Sequence, residues 1–170
     1  MKKIFKYIFA GMAAMSVVAC SEDALETSPS SSVSGNELLG TATNALVSLN
    51  GVYRAMYTAG VSNSSNTHQC FGITAYNLVA DVMGEDCIMN GQGSGWFWYD
   101  CVYNVKSRYT STGWRSYDMW NGYYTWISNV NYILAEEETM SGSETEKNYV
   151  LGQAYAVRAY SYFMLAQMFS

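Results

Sequence analysis

The chain has 170 residues, and its 14 acidic residues outnumber its 9 basic ones, giving a formal net charge of −5. Three of the lysines lie in the first 19 residues, which contain no acid, so the rest of the chain carries a net charge of −8. Such a surface repels polyanions and excludes nucleic acid as a partner. Fifteen tyrosines and five tryptophans against a single proline favour a helical protein rather than a sandwich of short strands.

The N-terminus predicts a lipoprotein signal peptide over residues 1–19. Three lysines precede an apolar run that is too short to span a bilayer as a helix. The run ends in small residues directly before Cys20, which is the arrangement that a lipoprotein signal peptidase needs. Cys20 is therefore predicted to be lipidated and to be the first residue of the mature protein. The alternative is an ordinary secretory signal in which this cysteine is incidental.

The segment after Cys20 is predicted to be a flexible tether, because residues 20–35 are rich in serine and acids and poor in apolar side chains. Residues 36–170 are predicted to form one helical domain. A capping-box spacing of Ser34 and Glu37 begins the first helix, and Gly60 is a natural end for it. A second helix is predicted over about residues 69–83.

Glycines break regular structure after the second helix and open a long segment from Gly84 to about Thr112. Its aromatic run is compatible with a short hairpin. The third helix is recognised by four side chains that lie within an arc of about 60° and predict one buried seam, namely Trp120, Tyr124, Ile127 and Asn131. A second capping box, Ser143 with Glu146, begins the fourth helix. The predicted fold is all-α, with stacked helix hairpins of the tetratricopeptide kind.

Arg158 lies inside the apolar stripe of the fourth helix. A buried guanidinium must find a carboxylate or several carbonyl groups, while its aliphatic stem packs against the core. The structural interpretation is favoured over ligand binding. Trp120, Tyr124 and Asn131 are predicted to be structural as well.

The aromatic segment is the candidate binding site. Tryptophan and tyrosine rings can present a flat apolar face to a sugar ring, while neighbouring amides bond to hydroxyl groups. In this interpretation Trp96, Trp98 and Tyr99 stack against sugar, and Asn90 and Gln92 bind hydroxyls. Because side chains two apart point the same way on an extended segment, Trp96 and Trp98 are predicted to form one platform. The alternative is that these rings cover the helix core or contact a transporter.

Catalysis is not indicated. The best set of acids is Asp81, Glu85 and Asp86, and nothing in the sequence sets the separation that glycoside hydrolysis requires. Solvated acids at a helix end, or a loop suited to calcium, are the favoured interpretation, although the spacing matches no EF-hand. The single histidine, His68, gives no basis for a catalytic triad.

No metal site or cofactor is predicted either. Three cysteines remain after Cys20, namely Cys70, Cys87 and Cys101, and they contain no C-x-x-C pair. Their odd number rules out complete internal pairing and leaves open whether any disulfide forms.

The sequence resembles the start of SusD/RagB proteins, because four separated signatures occur in that family's order. They are Cys20 with Leu25-Glu26 and Pro29; Leu49-Asn50-Gly51-Val52-Tyr53; the set Trp120, Tyr124, Ile127 and Asn131; and Gln153-Ala154 with Arg158-Ala159-Tyr160, Tyr162-Phe163 and Leu165. The resemblance implies a lipid-anchored nutrient-binding protein on the outer face of the outer membrane. It also implies that residues 36–170 are the N-terminal part of a longer domain that continues beyond Ser170.

The implied role is to capture oligosaccharides and deliver them to a SusC-like TonB-dependent transporter, without enzymatic activity. The acidic stretch Ser21-Glu22-Asp23 resembles the signal that sends such lipoproteins to the surface, and a solvated tether is the equally favoured alternative. A family member that binds peptides, or a surface adhesin or structural lipoprotein whose aromatic side chains bind protein, is the alternative function. The sequence does not identify the nutrient.

Overall fold

The computed structural model describes residues 35–59, 67–84, 87–93, 95–101 and 109–170. Within these ranges there is no β-strand, and the predicted all-α fold is confirmed. The helices are α1 (Gly35–Leu39), α2 (Ala42–Ala55), α3 (Ile73–Met83), α4 (Trp98–Cys101), α5 (Trp114–Ala135) and α6 (Glu144–Phe169), with a short 3-10 helix at Thr67–Gln69. The predicted signal peptide and tether, with Cys20, Ser34 and Gly60, lie outside the described residues.

The predicted first helix is two helices. A break at Gly40 separates α1 from α2, and Thr41 caps α2 because its side-chain oxygen accepts a hydrogen bond from the Asn44 N–H at 3.1 Å. The helix also ends earlier than predicted, at Ala55. The long helix α2 therefore begins at a local cap that lies seven residues beyond the predicted cap at Ser34.

A close backbone approach joins the end of α2 to the start of α3. Gly72 has a φ of +73°, in the left-handed region that glycine tolerates best. This turn allows the Ile73 N–H to donate to the Met56 carbonyl at 2.9 Å, which satisfies a carbonyl at the end of α2. Consequently α3 begins at Ile73 rather than near Gln69, and it ends at Met83, directly before Gly84.

The long antiparallel pair α5 and α6 forms the main body of the fold. The predicted capping box at the start of α6 is confirmed: Glu146 N–H donates to Ser143 Oγ at 3.3 Å, and Ser143 N–H donates to Glu146 Oε2 at 2.9 Å. The hydrogen bonds from the Ser143 side chain and backbone hold the pKa of Glu146 below its ordinary value. The helix α2 packs against both α5 and α6.

The core is built around three large aromatic side chains. The Tyr76 ring of α3 lies 5.4 Å from the Tyr123 ring and 6.0 Å from the Trp126 ring, measured between centroids. Tyr76 reaches this position because α5 has a glycine at 122, where a Cβ would lie 2.3 Å from the Tyr76 hydroxyl oxygen. That hydroxyl donates to the Asp118 carbonyl at 3.0 Å, so a polar atom inside the core is satisfied.

The predicted buried seam on α5 is wrong for three of its four side chains. Ile127 is buried, whereas Trp120 is 47 % exposed, Tyr124 is 38 % exposed and Asn131 is exposed. The side chains that face the core instead are Met119, Tyr123, Trp126, Ile127, Val130, Ile133 and Leu134. The helix carries large apolar residues on two faces, and their spacing alone does not determine which face meets α2, α3 and α6.

We predict that Asp118→Asn changes the pH dependence of stability. Burial raises the pKa of the Asp118 carboxyl in the folded state, against the opposing effects of Cys70, Arg115 and Tyr76. The native state therefore binds this proton more tightly than the unfolded state does. The contribution of Asp118 to the free energy of unfolding is greatest below the pKa of the unfolded state, and it is lost as pH rises through the pKa of the folded state.

Thermal unfolding from about pH 3 to about pH 7 tests this prediction. The Tm of Asp118→Asn relative to the unsubstituted protein should increase with pH across this window. A Tm difference that does not vary with pH would contradict it.

Candidate functional site

The segment between α3 and α5 brings most of the predicted binding side chains to the surface. Trp96 is 48 % exposed, Tyr99 is 39 % exposed, and Asn90 and Gln92 are both exposed. Trp98 is partly buried. The loop therefore offers rings and amides to solvent, but its two tryptophans differ in accessibility.

The predicted Trp96 and Trp98 platform does not have the expected backbone. Phe97, between them, has a φ of +57°, and Trp98 begins the short helix α4, so the segment is not extended. The described part of this segment contains no hairpin either. Side chains two residues apart share one face only on an extended chain, and the backbone at Phe97 is not extended.

The ring that lies beside Trp96 belongs to His68. The two ring centroids are 5.0 Å apart, with an angle of 37° between the planes, and His68 is exposed. The side-chain nitrogen of Gln69, Nε2, lies within hydrogen-bond distance of His68 Nε2, at 3.1 Å. The sequence predicts no role for His68, because no local pattern connects it to a tryptophan 28 residues later.

A buried ion pair lies beneath this loop. Arg115, at the start of α5, is 4 % exposed, and Asp100 of α4 is 6 % exposed. Arg115 Nη2 donates to Asp100 Oδ2 at 2.8 Å, and its Nε donates to Oδ1 at 3.2 Å. This two-pronged geometry is the strongest form of a carboxylate–guanidinium contact. The ion pair therefore ties the loop to the N-terminal end of α5.

Gln69 and Phe97 complete the contacts of the Arg115 guanidinium. Its Nη1 donates to the Gln69 carbonyl at 2.8 Å, while the Gln69 side-chain oxygen accepts a hydrogen bond from the Phe97 N–H at 2.8 Å. The guanidinium carbon also lies 5.0 Å from the Phe97 ring centroid and 4.2 Å from that of Trp114. Three separate segments of the chain therefore meet at one cation.

Tyr109 adds a further partner to Asp100, because its hydroxyl donates to Asp100 Oδ1. Burial, together with the hydrogen bond to Asp100, raises the pKa of the Tyr109 hydroxyl. The phenol is therefore a persistent donor, and the carboxylate keeps hydrogen bonds on both oxygens. No pattern in the sequence predicts this cluster, which consists of Gln69, Phe97, Asp100, Tyr109 and Arg115.

The acidic set considered for chemistry is only partly described by the structure. Asp81 is exposed on α3, and Glu85 and Asp86 lie outside the described residues. Among the residues that the structure describes, no group of three histidine, cysteine or acidic side chains is placed to hold a metal ion. In the same ranges Cys70 is buried, Cys101 is partly buried and Cys87 is exposed, each without a disulfide.

Arg158 connects the two long helices. Its Nη1 donates to Asn131 Oδ1 at 3.0 Å, and its guanidinium carbon lies 4.9 Å from the Tyr155 ring centroid. The side chain is partly buried, and its acceptor is the oxygen of one side-chain amide, whereas we expected a carboxylate or several carbonyl groups. This geometry is that of a residue that bridges α5 and α6.

Exposed aromatic side chains also continue along α5 and α6. The Trp120 ring lies 4.6 Å from the Tyr124 ring and 5.2 Å from the Phe169 ring, and Tyr124 lies 6.4 Å from Tyr162. We call these four residues the α5–α6 aromatic face. An open cleft of about 410 Å³ adjoins it at Trp120 and Phe169.

Comparison with known proteins decides the family. Residues 21–170 match the profile of a SusD-like family described as starch-binding and associating with the outer membrane. The chain belongs to this SusD-like family. The SusD-like protein is therefore a member of a binding-protein family with an outer-membrane association. Searches of curated proteins and of solved structures found no match.

Among the described helices of the SusD-like protein, none is both long enough and apolar enough to cross a membrane.

Proposed function

We propose that this SusD-like protein is a surface-exposed lipoprotein that captures oligosaccharides and passes them to a SusC-like TonB-dependent transporter. The observation that carries the proposal is the exposed Trp96 ring, which stands beside His68 on a loop fixed from below by the Arg115–Asp100 ion pair. Family membership supports starch or a related glycan as the ligand class. The predicted lipidation at Cys20 supplies the anchor.

The chemistry of the loop suits a sugar better than a charged nutrient. Trp96 offers a flat apolar face for the C–H groups of a pyranose ring, and Tyr99 offers a second ring with a hydroxyl. Asn90 and Gln92 are exposed on the same segment, and their amides both donate and accept hydrogen bonds. A few polar groups around aromatic faces are the usual composition of a small-ligand site.

We expect Trp96→Ala to weaken glycan binding while the fold is retained. Loss of one stacked ring should cost about 1 to 3 kcal/mol if sugar stacking resembles base stacking, which is roughly a 5- to 150-fold loss of affinity. Calorimetric titration of the full-length protein with maltoheptaose measures it. Circular dichroism checks the fold.

Trp120→Ala is the matched control, because Trp120 is equally exposed but lies on the α5–α6 aromatic face. Affinity should be retained in this variant. If Trp96→Ala binds maltoheptaose as well as the unsubstituted protein, the loop is not the binding surface.

A second function is favoured by the α5–α6 aromatic face itself. Its four neighbouring exposed rings form a contiguous apolar patch, and exposed apolar patches are typical of contacts with protein. An adhesin or structural lipoprotein, or a family member that binds peptides, would use such a face. Purification of the tagged full-length protein from membranes separates the two functions: the transporter role requires a TonB-dependent barrel to co-purify.

A further inference from the structure

We propose that Arg115 is the positioning residue of the ligand-binding loop, acting through Asp100 and Gln69 on the exposed pair Trp96 and His68. Arg115 itself is buried and does not meet the ligand. Only the binding consequences of this inference rest on the proposed function. Its structural consequences can be measured without any ligand.

The burial of the ion pair is the first argument. Arg115 and Asp100 are almost completely removed from solvent, although charged side chains rarely are. A buried ion pair adds little stability over well-packed apolar side chains, because removing two charges from water opposes their attraction. What it does supply is a defined geometry, since a guanidinium and a carboxylate dock in one orientation. Here that geometry fixes α4 against α5.

The backbone at Phe97 is the second argument. A φ of +57° is unfavourable for a residue with a bulky side chain, so the surroundings must hold it there. Three contacts hold it: the Phe97 N–H donates to Gln69 Oε1, and the Phe97 ring lies against the Arg115 guanidinium and 6.1 Å from the Phe71 ring. Trp96 directly precedes this residue, so the conformation at Phe97 determines where the Trp96 ring stands.

Gln69 is the third argument, because it connects the buried and exposed parts. Its backbone carbonyl accepts from Arg115, its side-chain oxygen accepts from Phe97, and its side-chain nitrogen lies beside His68. Both exposed rings are therefore connected to Arg115 through Gln69. His68 is connected through the Gln69 side-chain nitrogen, and Trp96 through its neighbour Phe97, which donates to the Gln69 side-chain oxygen. Loss of the guanidinium geometry releases the two rings together.

The test uses Arg115→Lys and Asp100→Asn in the full-length protein, with amide hydrogen exchange as the first readout. Lysine keeps the charge but has no fork to match the carboxylate. Exchange at residues 97–101 should become about tenfold faster or more, while amides in the middle of α6 keep their protection. Arg158→Lys is the matched control, since it makes the same change at the α5–α6 bridge and should leave loop exchange unchanged.

Calorimetric titration with maltoheptaose is the second readout. Affinity should fall roughly 5- to 50-fold in both loop variants and should be retained in Arg158→Lys. Unchanged loop exchange in both variants would overturn the proposal. Equal acceleration in the loop and α6 would also overturn it, because it would show a purely structural role for Arg115. If the unsubstituted protein binds no maltoheptaose, the proposed ligand class fails while the exchange data still test positioning.

Discussion

Cys20→Ala should release the protein from the membrane fraction. Cys20 follows a short apolar run and small residues, which predicts that its thiol carries the lipid. Stable anchoring depends on acyl chains, each buried CH₂ contributing about 0.8 kcal/mol, so loss of the lipid attachment should move nearly all of the protein to the soluble fraction.

Membrane fractionation and labelling of cells with a fatty-acid analogue measure this effect. Cys87→Ala is the control, because Cys87 is an exposed cysteine within the helical domain and its loss should not alter fractionation. A Cys20→Ala protein that is still labelled and still sediments with membranes would show that Cys20 is incidental. The signal would then be an ordinary secretory one.

The largest loss of stability is expected for Gly72→Ala. A Cβ at this position would lie 2.0 Å from the Met56 carbonyl oxygen, and the φ of +73° is unfavourable for alanine. Relief of the clash would break the hydrogen bond from Ile73 to Met56. The combined cost of backbone strain, overpacking and the lost hydrogen bond should be about 3 to 5 kcal/mol.

Gly152→Ala is the matched control for the same chemical change. Gly152 lies in α6, is exposed, and has no atom within 4 Å of the position where a Cβ would stand. Alanine is the better helix former, so this variant should gain about 0.5 to 1 kcal/mol. Urea unfolding of both variants gives the comparison. A Gly72→Ala protein as stable as the unsubstituted one would mean that the close approach of α2 and α3 is not retained in solution.

Local signals in the sequence predicted much of the fold. The capping box at Ser143 and the end of α3 at Met83 depend on residues a few positions apart, and these predictions agree with the structure. The break at Gly40 was missed, although Thr41 with Asn44 is a cap of the same local kind.

Packing faces could not be predicted in the same way. Both sets of large apolar side chains on α5 have helical spacing, and the choice between them depends on where α2, α3 and α6 lie. The ion pair of Arg115 and Asp100 was also hidden, because its partners lie 15 residues apart with a loop between them. The sequence is compatible with an exposed Trp96, but the contact between the Trp96 and His68 rings is evident only from the structure.

The two ends of α5 are secured by different kinds of bond. Near its C-terminal end, Ser141 exchanges main-chain hydrogen bonds with Gly40 and Ala42, each 2.9 Å long. Near its N-terminal end, the hydrogen bonds described between the loop and the helices use the side chains of Arg115, Gln69 and Tyr109.

Main-chain bonds survive nearly any substitution other than proline, whereas side-chain bonds change with the residue. The end of the bundle that carries the proposed binding loop depends on residue identity for its contacts, so substitutions there should leave the register of the helices at the opposite end undisturbed.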